Sequence, residues 1–277
     1  MPILHAIVLG IVQGLSEFLP ISSSGHLILV PWLLHWHDFA GKGGDHLNKT
    51  FDVALHMGTF VGAVIYFRDD LLRFLRAGLR SISQRAVRTT DERLAWLLLL
   101  SAVPGAAAGA LGESFIEEHT GKPWLIGVML IVFGVVLFVA DRAAGRRDVE
   151  DWTRRDAAVM GVAQALALQP GVSRSGVTIS AARFLGLSRD AAARISFLMS
   201  IPIIGGAGLY KGLKLFAGDG LPSGFAAPFL WGTVASGVTG FIAIWFILRL
   251  IRTRSFAPFV AYRILAGAFV IAVAIAR

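Results

Sequence analysis

The chain of 277 residues contains no cysteine, which removes disulfides, thiolate catalysis and cysteine-held metals and leaves the compartment undecided. Charge is scarce too. Asp, Glu, Lys and Arg make up 16% of the residues and apolar types 55%, against about 25% and 45–50% in an ordinary soluble domain. The apolar residues gather in runs such as 124–140, 229–248 and 256–276, each near the roughly 20 residues that carry a helix across a bilayer. No removable signal peptide is expected, because a basic segment and a small-x-small cleavage site are both missing ahead of Gln13 and Glu17. The charge that is present has one sign in excess, a formal +8. Its Arg residues sit in short segments between apolar runs instead of on one basic face, a pattern that orients membrane spans. Membrane lipids are therefore the expected surroundings, and no nucleic acid is expected.

The expected fold class is an all-α polytopic membrane protein, one membrane domain over 1–277, with spans at about 50–67, 93–111, 124–140, 191–210, 229–249 and 256–276. Two further apolar segments, 3–36 and 157–187, are broken in the middle by Pro, Gly and clustered Ser. Unwound backbone at membrane depth is tolerated only where protein or a wet cavity satisfies it, so both are predicted to be re-entrant helical hairpins. They resemble each other: Gly10, Gln13, Leu15, Ser22 and Gly25 align without a gap on Gly161, Gln164, Leu166, Ser173 and Gly176. Each hairpin precedes three spans, and an odd number of crossings turns the second copy over. The six transmembrane helices and two hairpins thus form an inverted-topology repeat, approximately 1–141 and 152–277, and in such repeats broken helices mark a site near the midplane. Arg-rich segments 68–93 and 142–155 are predicted to be cytoplasmic, while 37–49 and 112–123, with Glu113, Glu117 and Glu118, are predicted to lie outside.

Gln13 and Glu17 are four apart and share one helix face. An intramembrane carboxylate is costly and marks function by default; the other reading is an interfacial, solvated Glu17. After Pro20, the run Ser22-Ser23-Ser24-Gly25-His26 offers hydroxyls and exposed backbone N–H groups suited to an anion. The same serines could simply cap a helix, and His26 could be a proton carrier or a satisfied structural group. In the second hairpin, Pro170-Gly-Val-Ser173-Arg174-Ser175-Gly176-Val-Thr178 puts a guanidinium between two hydroxyls. Phosphate would suit its fork of donors, and an ion pair with Glu17 is the alternative. The remaining His5, His35, His37, His46, His56 and His119 show no shared metal spacing, and Trp32, Trp36, Trp124, Trp152 and Trp231 fit interfacial belts.

Gln-x-x-x-Glu17, Pro-Ile-Ser-Ser-Ser-Gly-His26 and Pro-Gly-Val-Ser-Arg-Ser-Gly-Val-Thr178 resemble the two signature motifs of the undecaprenyl-diphosphate phosphatases, the bacitracin-resistance family. Ser196-Phe-Leu-Met-Ser-Ile-Pro202 and Phe256-Ala-Pro-Phe-Val-Ala-Tyr-Arg263 extend the resemblance along the chain. The resemblance implies a polyprenyl diphosphate substrate, a divalent cation (Mg²⁺ or Ca²⁺), a bacterial inner-membrane location, and a site open to the outer face. It implies a role in recycling the lipid carrier of cell-wall synthesis and is compatible with a homodimer. It also implies that Glu17, Ser23, His26 and Arg174 match the family's functional positions. On that reading Ser23 attacks or orients a water, Glu17 serves as base or cation ligand, and His26 shuttles a proton. Gln13, Ser22, Ser24, Gly25, Ser173, Ser175, Gly176 and Thr178 surround the diphosphate, with backbone N–H groups near Gly25 and Gly176 as donors. One departure is Gln13, where many members carry Glu, so a cation scheme needing two carboxylates from this helix is weakened. Type-2 phosphatidic acid phosphatases share a Ser-Gly-His string and a Ser-Arg pair, but need a later nucleophilic His, and no His follows His119. The non-enzyme alternative is a polyprenyl-phosphate transporter or flippase, since inverted repeats with broken helices serve alternating access.

Because the native chain has no thiol, a cysteine placed singly at position 43 reports sidedness cleanly. It is expected to react with an impermeant reagent from outside; labelling only from the cytoplasm would overturn the hairpin topology.

Overall fold

The structure, a computed structural model, describes residues 1–39, 44–217 and 224–277, and the side chains of these apart from 45, 113–119 and 211–217. Position 43 and the Glu113, Glu117, Glu118 and His119 side chains fall outside that description. The described residues form eleven α-helices, with no strand among them: α1 Ile3–Phe18, α2 Ser23–Leu34, α3 Gly44–Tyr66, α4 Arg68–Ser83, α5 Thr90–His119, α6 Pro123–Arg142, α7 Arg154–Ala165, α8 Arg174–Phe184, α9 Arg189–Ala217, α10 Ala226–Leu250 and α11 Ala257–Ala276.

Local chemistry sets many of these ends. Helix α1 stops before Pro20, whose ring excludes helical backbone at the preceding residue, and Leu19 is extended. Thr153 and Asp156 form a reciprocal capping box at the start of α7. Helices α2 and α8 are capped by Ser22 and Ser173, whose hydroxyls accept from the Gly25 and Gly176 N–H groups. The two broken segments of the sequence are therefore two short helices each, α1 with α2 and α7 with α8.

Five helices are long and apolar enough to cross a membrane: residues Thr90–Gly112 of α5, α6, Arg189–Tyr210 of α9, α10 and α11. The chain is a multi-pass membrane protein. The expected span at 50–67 differs from the rest. It lies in α3, which passes the same test only when joined to α4, and the pair is bent by 81° at Phe67. The segment expected as a cytoplasmic connection, 68–93, is thus largely helical. Helix α4 leaves Leu72, Leu75, Leu79 and Ile82 exposed along one stripe and turns Phe74 and Ser81 inward, as an amphipathic helix in a membrane interface does. Trp152, read from the sequence as an interfacial belt residue, is instead buried within the main core with Phe74, Leu94 and Leu198. Only the packing of neighbouring helices over it decides this.

The packing is interleaved. Helix α1 lies chiefly on α10, α7 lies on α5, α6 pairs with α11, and α3 packs on both α10 and α9. Close approach depends on small residues, as in membrane helix pairs generally. A methyl group on Gly10 would strike the Gly232 carbonyl, and one on Gly14 would strike the Thr239 hydroxyl and the Ser236 carbonyl. Large side chains such as Leu99, Val103, Leu230, Leu265 and Phe269 are exposed on the outer surface, where lipid is the solvent.

Gly14→Leu is therefore expected to lower the thermal midpoint of the purified protein by the equivalent of about 1–3 kcal/mol or more, the usual range for overpacking. Gly206→Ala, at a position with no heavy atom within 4 Å of a Cβ, is the control and is expected to leave the midpoint unchanged or slightly raised.

Candidate active site

The site is assembled where the two helix breaks meet. At each break a serine takes a left-handed backbone, Ser22 with φ 78° and Ser173 with φ 74°, a region that non-glycine residues rarely occupy. Each caps the helix that follows. Ser22 Oγ also accepts the Gly171 N–H at 3.0 Å, and Ser175 Oγ donates to the Leu19 carbonyl at 3.1 Å, so the tips are bonded to each other. Gly171 itself has φ +96°, and a Cβ there would come within 2.7 Å of the Ile126 carbonyl oxygen.

With the tips joined, the first residues of α2 and α8, Ser23 and Arg174, both reach Glu17. Of the backbone N–H groups near Gly25 and Gly176, those of the two glycines themselves are used by the capping serines, a hydroxyl three residues back holding each one. The helix geometry instead leaves the N–H groups of Ser23, Ser24, Arg174 and Ser175 without intrahelical acceptors. Two helix N-termini, each with the partial positive charge of its dipole, thus open on one place.

Glu17, 4% exposed, lies at the centre. Its Oε1 pairs with Arg174. Its Oε2 accepts from Ser23 Oγ at 2.6 Å and from Gln13 Nε2 at 3.0 Å. A hydroxyl donating to a carboxylate at that distance is the arrangement of a nucleophile with its base. His56, set aside on sequence grounds, completes the group, with Nε2 3.6 Å from Glu17 Oε2. Its Nδ1 lies 2.7 Å from the Asp52 carbonyl, which only accepts, so Nδ1 carries the hydrogen and Nε2 faces the carboxylate. Nothing in the spacing of His56 announces this; the packing of α3 against α1 produces it.

The other expected residues divide. Ser22, Ser173 and Ser175 hold the tips, and Ser173 and Ser175 hydroxyls lie 3.2 Å apart. Thr178 is fully buried, donating to the Arg174 carbonyl at 2.7 Å and sharing a hydrogen bond with Ser196 Oγ at 2.6 Å, which is a structural position. Ser24 is part-exposed at the first turn of α2. His26, expected to carry protons, has both ring nitrogens engaged by protein: Nδ1 with the Ser22 carbonyl at 2.7 Å and Nε2 with Tyr262 Oη at 2.6 Å. Arg263, next to Tyr262, is fully buried. Its guanidinium donates to the carbonyls of Pro20 at 3.0 Å, Gly171 at 2.8 Å, Val172 at 3.0 Å and Leu130 at 3.1 Å. All its partners are neutral, so its charge is unbalanced beside the tips.

Residues 6–269 match the family described as bacitracin resistance protein BacA. The chain belongs to that family. Among BacA relatives, an undecaprenyl-diphosphatase of Pelobacter propionicus is 48% identical over 275 residues, 99% of this chain and 97% of its own. One from Geobacter sulfurreducens is 46% identical over 279 residues, the whole of both chains, and one from Hahella chejuensis 44% over 265 residues, 96% of each.

For the divalent cation that the BacA resemblance implies, the donors at hand are few. Among the described residues no group of three His, Asp or Glu could hold a metal. Gln13 Oε1, however, is buried without a hydrogen-bond partner beside Glu17, an orphaned hard oxygen of the kind such a cation takes alongside a carboxylate and substrate phosphates.

The capping role of Ser22 separates it from Ser24. Ser22→Ala removes the acceptor of two amides and is expected to cost about 1–2 kcal/mol, whereas Ser24→Ala is expected to stay within about 0.5 kcal/mol. Thermal or denaturant unfolding of the two purified variants checks this; equal losses would contradict the assignment.

Proposed function

We propose that this BacA-family chain is an undecaprenyl-diphosphatase, hydrolysing the phosphoanhydride bond of undecaprenyl diphosphate to the monophosphate and inorganic phosphate. One observation carries the residue-level reading: the first residues of α2 and α8, Ser23 and Arg174, both bond the Glu17 carboxylate, the hydroxyl on one oxygen and the guanidinium on the other. Anion donors and a base-paired nucleophile in one apolar frame suit phosphoryl transfer, which is mostly positioning and charge stabilisation.

In the proposed sequence Arg174 leaves Glu17 to grip the terminal phosphoryl oxygens, which frees the carboxylate. Glu17 accepts the Ser23 proton as Oγ attacks the terminal phosphorus, and the bond to the bridging oxygen breaks with lipid monophosphate as leaving group. Glu17 passes that proton to the departing lipid monophosphate. Water then attacks the phosphoserine and gives a proton to Glu17, the bond from phosphorus to Oγ breaks with release of phosphate, and Glu17 returns the proton to Oγ to restore the Ser23 hydroxyl. Mg²⁺ or Ca²⁺ would be held by Glu17 and Gln13 Oε1 together with the substrate, and would neutralise charge on the diphosphate.

The finer membrane arrangement belongs to the same proposal. The α1–α2 and α7–α8 pairs are re-entrant hairpins, and approximately 1–141 and 152–277 are inverted repeats. The matching positive-φ serine caps at Ser22 and Ser173 and the interleaved packing of α1 on α10 and α7 on α5 support this. With the Arg-rich segments inside, the first hairpin enters from outside and the second from the cytoplasm, and the BacA resemblance implies a site open to the outer face. The transporter reading has only the paired broken helices in its favour.

Phosphate release by the purified protein from undecaprenyl diphosphate against phosphatidic acid, with and without chelator, tests the activity; no release from the first substrate would end the proposal. Glu17→Gln and Ser23→Ala are expected to lose about 10²-fold or more in turnover at normal protein yield. Arg174→Lys keeps the charge but not the planar fork, so it is expected to lose most of its kcat as well as raising KM. A change confined to KM would reduce Arg174 to ground-state binding.

A further inference from the structure

We infer that Tyr262 is a positioning residue for hydrolysis, acting through His26 on the turn that presents Ser23. The inference rests on the functional reading above and goes beyond it, to a hydroxyl on α11 outside both signature segments.

The argument starts from the geometry of His26. It lies one turn beyond Ser23 on α2, 9% exposed. The Ser22 carbonyl, 2.7 Å from Nδ1, can only accept, so the hydrogen resides on Nδ1. The neutral ring then has a lone pair on Nε2, and the Tyr262 hydroxyl, 2.6 Å away, donates to it. The rings lie nearly parallel, with centroids 5.7 Å apart and 19° between planes. The Ser22 carbonyl thereby sets the tautomer of His26, and Tyr262 holds the far edge of the ring and so its orientation.

What His26 holds in turn is the carbonyl of a positive-φ serine, Ser22. The Ser22 carbonyl accepts His26 Nδ1–H and also the His26 backbone N–H at 3.2 Å. Ser22 has the left-handed backbone described above, and such a conformation persists only when its surroundings over-determine it. The next residue is Ser23. On the other side of the same turn, Arg263 donates to the Pro20 carbonyl. Two consecutive residues of α11 thus brace the turn at both ends.

The second tip offers an internal comparison. Ser173 has nearly the same φ and the same cap, yet the position matching His26 is Val177, and among the described residues no imidazole supports the Ser173 carbonyl. The brace is present where the nucleophile sits and absent where the arginine sits. A purely packing role for Tyr262 would make its hydroxyl dispensable, and the residue is 43% exposed, so its ring is not there to fill the core.

Tyr262→Phe removes the hydroxyl and little else. Displacements of about 1 Å at reacting atoms cost up to 10² in rate, so a loosened turn is expected to lower kcat roughly tenfold, leave KM within about twofold, and leave the thermal midpoint near that of the parent. In the double variant with His26→Ala the losses are expected not to multiply, because both changes cut one chain of contacts. The ¹⁵N spectrum of the imidazoles, with His26 assigned by its absence in His26→Ala, is expected to show His26 protonated at Nδ1 in the parent and in Tyr262→Phe, with the Nε2 resonance displaced in Tyr262→Phe as the hydroxyl donor is lost. Wild-type turnover is measured first. Its absence sinks the functional reading and this inference with it. Wild-type turnover together with full kcat in Tyr262→Phe, fully multiplicative losses, or an unchanged His26 Nε2 resonance sinks the brace alone.

Discussion

Backbone that unwinds inside an apolar medium must find every hydrogen bond within the protein, because neither lipid nor water supplies one there. The two tips, from Leu19 to Ser22 and from Gln169 to Ser173, meet that demand by bonding to each other and to one buried guanidinium. Arg263 collects carbonyls from both tips and from α6, and Ser22 takes amides from both hairpins. The joint comes first and the site is its by-product: once the tips are locked, the two helices leaving them present unpaired N–H groups to a common point.

Electrostatics follow from that joint. Glu17 and Arg174 come from different tips and neutralise each other at rest, while Arg263 adds a positive charge with no carboxylate partner. The net field favours an anion, and an arriving diphosphate competes with Glu17 for Arg174. Under the proposed function, exchange of that one guanidinium between carboxylate and phosphate would free Glu17 only when a diphosphate is bound. Breaking a buried pair without compensation costs several kcal/mol, so the carboxylate stays covered in the empty site.

Much of this was legible in the sequence because it is local. The four-residue spacing of Gln13 and Glu17, the serines after Pro20, and the match of Ser22 to Ser173 are written in order along the chain, and the structure brings Glu17, Ser23 and Arg174 together. Long-range packing was not legible. His56 reaches Glu17 because α3 lies on α1, and Tyr262 and Arg263 reach the tips from about 240 residues away in the chain. Which amides near Gly25 and Gly176 are taken up by caps was not legible either, because sequence does not say which of two adjacent hydroxyls turns back to cap a helix. Helix α4 looked like a connection because its arginines are conspicuous and its leucine stripe only emerges at helical spacing.

The interleaving of α1 with α10 has a consequence for biosynthesis. Helix α1 ends at Phe18 and its principal neighbour begins at Ala226, about 200 residues later, which at roughly 5–20 residues per second is some tens of seconds of translation. Arg174 likewise emerges long after Glu17. Throughout that interval the first hairpin carries a carboxylate and an amide with no completed pocket to receive them, so it cannot be finished as it leaves the ribosome. The nascent N-terminus has to wait at the membrane surface or in the care of the insertion machinery, and the catalytic centre closes only when the last third of the polypeptide arrives.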